Sequence, residues 1–101
     1  MNERITVTID PELADLVPGF LDNRRGDVAK LTNLLASGNF AEIRMIGHSM
    51  KGAGGGYGFD QITDIGDMIE RAALTADSKT IVAGIERLAD YLARVDVVLG
   101  D

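Results

Sequence analysis

Phe40-Ala41-Glu42-Ile43-Arg44-Met45-Ile46-Gly47-His48-Ser49-Met50-Lys51-Gly52-Ala53-Gly54 is the run whose period decides the fold. Phe40, Ile43, Ile46, Gly47, Met50 and Ala53 or Gly54 recur at helical spacing and make one apolar stripe. Ala41, Arg44, His48, Lys51, Gly52 and Gly55 fall on the opposite face. At about 100° per residue, His48 points about 160° away from both Ile46 and Met50. The only histidine in the chain therefore stands out from a helix. Arg44 lies one turn before it and Lys51 one turn after, and Gly52 is its neighbour at i+4. Asn39 can cap the helix, and Glu42 three residues on completes a capping-box pattern. The glycines at 54, 55, 56 and 58 weaken it at the other end, so it is expected to stop between Gly55 and Gly58. Gly47, Gly52 and Gly54 are places for close approach, by a neighbouring helix inside or a partner outside.

Outward from this run, further stripes follow. Toward the N-terminus, Phe20, Leu21, Val28, Leu31, Leu34 and Leu35 line a helix that Ser37-Gly38 ends. Arg24 falls near that stripe, with its stem expected to pack and its head to reach water. Asp10-Pro11 reads as a cap and first position of a short helix over 11–16, with Leu13 and Leu16 inward. Residues 4–9 alternate polar and apolar like a strand, but no second strand is evident, so they are expected to form an extended arm lying on the helices. Toward the C-terminus, Ile62, Ile65, Gly66, Ile69, Ala72, Ala73 and Ala76 form one stripe. Asp60, Asp64, Asp67, Glu70 and Arg71 face outward from it, with the spacing of an ordinary solvated face. Asp77-Ser78 caps the last helix, with Ile81, Ile85, Leu88, Leu92, Val95 and Leu99 inward. Short loops between four such helices predict an all-α, antiparallel up-and-down four-helix bundle, one domain over residues 1–101.

Composition narrows the function. Apolar residues make up 46% of the chain, which argues against disorder. A net charge of −6 makes a poor general binder of nucleic acid or of an anionic membrane surface. There is no cysteine, which removes disulfides and thiolate metal sites. No signal peptide is evident, and no apolar run approaches the ~18 residues of a membrane span. A complete, monomeric, cytoplasmic protein is the expectation.

Around His48, Arg44 and Lys51 would favour the neutral, nucleophilic imidazole and would stabilise negative charge on a phosphoryl group carried by the ring. Gly52 removes a side chain that would block an incoming partner. Met45, at i−3, could join Ala41 and Gly52 in an apolar docking patch, or could be a core-edge methionine. Other chemistries fit poorly. Adjacent helical residues diverge, so Ser49 and His48 do not make a hydrolytic pair. The glycines follow a helix, not a strand, and the phosphate-loop pattern is absent. One histidine and scattered carboxylates make no metal site.

His48-Ser49-Met50-Lys51-Gly52, with Gly58 ten residues after the histidine, resembles the signature of histidine-containing phosphotransfer domains, and the helical pattern extends the likeness over nearly the whole chain. The resemblance implies a four-helix bundle with an extra short N-terminal helix. It implies that His48 accepts a phosphoryl group from a receiver-domain aspartyl phosphate and passes it to another receiver. Lys51 would neutralise that group, and Gly52 would leave room for the receiver. Ala41, Arg44, Met45, Gly52 and Gly55 would form the docking face. The implied partners are response-regulator receivers and a hybrid histidine kinase. The protein would be a phosphocarrier without a cofactor of its own, Mg²⁺ being held by the receiver. A non-catalytic docking or inhibitory module that binds a receiver or kinase is the competing class. A kinase's own phosphoacceptor domain fits less well, since no ATP-binding region follows.

Overall fold

In the computed structural model, which describes residues 3–100, the chain runs β1 (Ile5–Ile9), a turn of 3-10 helix (Pro11–Leu13), α1 (Val17–Ala36), α2 (Phe40–Tyr57), α3 (Asp60–Leu74), α4 (Ser78–Arg94) and β2 (Val95–Leu99). The single-domain reading of 1–101 includes residues 1, 2 and 101, which lie outside the described residues. α1 touches α2 and α4, and α3 touches the same two, so the four helices close a ring around one core. Leu31, Ile43, Met50, Ile62, Ile65, Ile69, Ile81 and Leu88 are fully buried in it. These are the positions that the helical periods select.

Capping chemistry sets the helix ends. Asn39 accepts from the Glu42 N–H at 3.2 Å, and Asp77 accepts from the Thr80 N–H at 3.1 Å. α2 runs through the glycines to Tyr57, and Gly58 then closes it with φ +88°. The Phe59 N–H reaches back to the Gly54 carbonyl at 2.9 Å. That turn buries Phe59 beside Phe20, with ring centroids 5.3 Å apart, and Phe20 also stacks on Tyr57 at 4.5 Å. Arg24 differs from its expectation. Its guanidinium sits over the Phe20 ring at 5.0 Å and binds Asp27 at 2.8 Å rather than reaching into water.

The chain ends depart further from the reading. The 4–9 segment is not a lone arm. β1 pairs in parallel with β2, Ile5 opposite Val95 through Ile9 opposite Leu99. α4 stops at Arg94 because Val95 turns to extended backbone at the start of Val95-Asp96-Val97-Val98, a run rich in β-branched residues. Leu99, expected inward, is exposed. Parallel strands need a long crossover, and here the whole bundle supplies it. The Arg4 guanidinium holds the junction, donating to the Ala93 and Val95 carbonyls at 3.1 and 3.0 Å. Ile9 is buried to 1% exposure, which stabilises the strand by about 2 kcal/mol. The short helix of 11–16 is reduced to Pro11–Leu13, with Asp10 capping it as expected. Leu16 is exposed, and Val17 takes the inward place in the first turn of α1. Ala76 leaves the α3 stripe. It is exposed in the left-handed region, φ +51°, where α3 has already ended.

Candidate functional site

The site is built on the seam between α2 and α3. Gly47 and Gly54, two turns apart on α2, lie against Gly66, Glu70 and Thr63 of α3. A Cβ on Gly47 would stand 2.7 Å from the Glu70 nitrogen, and one on Gly54 would stand 2.8 Å from the Thr63 nitrogen. A Cβ on Gly66 would stand 2.5 Å from the Lys51 nitrogen. Backbone meets backbone at each of these points. The pairing order, 47 with 66 and 70 and 54 with 63, makes the two helices antiparallel. Such closeness allows side chains on the rims of α2 and α3 to bond across the seam.

His48 does so. Its side chain is 75% exposed, and its Nδ1 lies 2.9 Å from Glu70 Oε2. A carboxylate only accepts, so in the neutral imidazole this bond calls for the proton on Nδ1 and the lone pair on Nε2. Glu70 itself is mostly covered, at 16% exposure. Its other oxygen faces the Lys51 ammonium at 3.8 Å. Lys51 Nζ donates to Asp67 Oδ1 at 3.0 Å, and Arg71 Nε lies 3.3 Å from the other Asp67 oxygen. The Lys51 hydrogen bond, ahead of the Arg71 charge, holds the Asp67 carboxyl below its ordinary range, so it is ionised at neutral pH.

Every residue singled out from the sequence lies on this exposed face: Ala41, Arg44, Met45, His48, Lys51, Gly52 and Gly55. Met45 is 65% exposed, so it is a surface residue of the rim and not part of the core edge. A Cβ on Gly52 would meet nothing within 4 Å, whereas Gly47 and Gly54 are filled by α3. Close approach inside the protein thus falls at 47 and 54, while 52 faces open space. Arg44, Met45, His48, Ser49 and Glu70 line an open cavity of about 480 Å³ against the imidazole.

Two residues of the site have, in the sequence, the spacing of a solvated face. Asp67 and Glu70 are half-buried along α2 and not free in water. Their helical phase points them away from the core, as expected. What the period does not report is how close α2 comes. Gly66 beside them was the available signal, since a glycine inside an apolar stripe marks close backbone contact. Leu74, one turn beyond Glu70, is 63% exposed and adds an apolar residue to that end of α3.

Among the described residues, no group of three histidine, cysteine or acidic side chains could hold a metal ion, and no helix is long and apolar enough to cross a membrane. Searches of curated proteins and of solved structures returned no match. The sequence does match the Hpt domain family over residues 15–97, a span that takes in all four helices and the whole of the histidine site but leaves β1 outside. Histidine on an exposed helix face, and a match over most of the chain, agree: this chain belongs to the Hpt domain family.

Proposed function

We propose that this protein carries a phosphoryl group on His48 between receiver domains of a phosphorelay. Hpt domains are histidine phosphotransfer modules, phosphocarriers that work with receivers and kinases. The observation that carries the reading for this chain is the 2.9 Å bond from His48 Nδ1 to Glu70, because it prepares Nε2 as the nucleophile. The lone pair on Nε2 forms the N–P bond while the bond from phosphorus to the receiver's aspartyl oxygen breaks. The electron pair of that broken bond leaves on the aspartate. Nδ1 keeps its proton, so the ring becomes cationic next to the Glu70 carboxylate, which stabilises it. The reverse transfer starts from that same cation, a good leaving group. Glu70 thereby serves both directions. The metal and the acidic pocket of the reaction belong to the receiver, and magnesium is expected there. Met45, Ala41, Gly52 and Gly55 form the surface on which it docks.

The test is phosphoryl transfer from an aspartyl-phosphorylated receiver of the same organism. The expected product is an acid-labile, base-stable label that maps to His48. A receiver that binds the protein but never labels it would replace the carrier with a docking or inhibitory module. Chelating divalent metal is expected to stop transfer and to leave phosphohistidine already formed in place.

Glu70→Ala is expected to slow transfer by about 100-fold at saturating receiver, within the span of a positioned proton-holding group. Glu70→Gln keeps an acceptor but loses the charge and should fall between, about tenfold down. Rapid-quench rates, with ¹⁵N spectra of the imidazole to report the Nδ1–H tautomer, check both.

A further inference from the structure

Two cations stand within a turn of His48, and the structure treats them differently. Lys51 is drawn into the α2–α3 seam. Its backbone nitrogen and Cα lie 2.5 and 2.9 Å from where a Gly66 Cβ would be, so this residue sits directly over α3. Its ammonium is then matched by Asp67 at 3.0 Å and Glu70 at 3.8 Å. With Arg71 on the far side of Asp67, the seam holds two cations against two carboxylates. It is locally neutral.

Arg44 has no acidic partner within ion-pair distance among the described residues. It is exposed, and it lines the cavity against the imidazole together with Met45, Ser49 and Glu70. Lys51 does not line that cavity. Helical side chains lean toward the N-terminus, so His48 extends over the turn that carries Arg44. A guanidinium also presents paired donors that match phosphoryl oxygens, and a point ammonium does not.

We infer that Arg44, rather than Lys51, supplies the positive charge that meets the phosphoryl group on His48, while Lys51 serves to fix Glu70 and Asp67 across the seam. The inference rests on His48 being the phosphoacceptor. It divides the roles of the two cations: Arg44 binds the transferred group, and Lys51 acts through Glu70 as a positioning residue.

The experiment is the equilibrium partition of phosphoryl between a receiver that labels the wild type and the Hpt protein, measured for wild type, Arg44→Gln, Arg44→Lys and Lys51→Gln. A partition constant compares the free phosphorylated and unphosphorylated proteins, so weaker docking does not move it. Affinity for the unphosphorylated receiver is titrated alongside. Arg44→Gln is expected to shift the partition about tenfold toward the receiver, the effect of one lost charge-assisted hydrogen bond to phosphate. Arg44→Lys keeps the charge but loses the paired donors, so its shift should fall between wild type and Arg44→Gln, about threefold toward the receiver. Lys51→Gln should shift the partition less than Arg44→Gln and show itself in the ¹⁵N imidazole spectrum as a loosened Nδ1–H bond. A Lys51→Gln shift as large as that of Arg44→Gln, or an Arg44→Gln effect confined to receiver affinity, overturns the assignment. A wild type that takes no label from any receiver removes the phosphoacceptor reading and this inference together.

Discussion

His48→Gln is expected to abolish labelling by phosphorylated receivers, to less than a thousandth of the wild-type rate, while thermal stability stays within about 0.5 kcal/mol of wild type. The separation follows from where the residue stands. The side chain is 75% exposed and fills no part of the core, so its removal leaves packing intact. Glutamine can still donate an amide N–H to Glu70, so the carboxylate is not orphaned. What the amide lacks is a lone pair with the nucleophilicity of imidazole Nε2. No neighbour can substitute. Ser49 projects about 100° around the helix, and no side chain among the described residues is placed to activate its hydroxyl. Circular dichroism melting and receiver transfer on one preparation check both halves. A labelled, stable His48→Gln protein would move the phosphoacceptor elsewhere. An unfolded one would mean that the His48–Glu70 bond matters to the fold.

How much of this could be read from the sequence depends on the distance over which each residue acts. The α2 stripe, its Asn39 cap and its termination before Gly58 are settled within a few turns of chain, and the structure repeats them. The identity of the exposed histidine and its bare neighbour Gly52 follow from the same period. The parallel sheet does not. Leu88, Leu92, Val95 and Leu99 keep helical spacing, so β2 hides inside the phase of α4. Its pairing partner lies at the other end of the chain, and only Arg4 reaching Ala93 and Val95 reveals the junction. Glu70 and Asp67 failed for a related reason. Their orientation was legible, but the environment they point into is made by α2, with His48 22 residues from Glu70 and Lys51 16 residues from Asp67. Hydrophobic period reports which way a side chain faces relative to its own helix. It does not report what another helix brings to that side.

Gly66→Ala tests the step that joins fold to site. Alanine favours a helix interior by about 1 kcal/mol over glycine, so propensity alone predicts a gain. The added methyl, however, would stand 2.5 Å from the Lys51 nitrogen, 2.7 Å from the Gly47 carbonyl oxygen and 2.9 Å from Lys51 Cα. All three are backbone atoms of α2, and no rotamer change can move them aside. The helices must separate, which opens contacts along Ile43, Met50, Ile62 and Ile69, all fully buried. Overpacking of this kind typically costs about 1–3 kcal/mol and at backbone contacts reaches the upper end. After the propensity gain, a net loss of about 2 kcal/mol remains, which lowers Tm by roughly 8–16 °C in a chain of this size. The same separation pulls Glu70 from His48 and Asp67 from Lys51, because those bonds span the widened seam. Transfer per folded molecule should therefore fall about tenfold, toward the Glu70→Gln value. Gly52→Ala gives the contrast from the outer face. Its Cβ meets nothing within 4 Å, so stability should hold or rise by up to about 1 kcal/mol. Any loss of transfer in that variant comes from the docking receiver. If Gly66→Ala instead melts at the wild-type temperature with transfer intact, the glycine seam does not set the His48–Glu70 distance. The site would then owe its geometry to side-chain packing farther along α3.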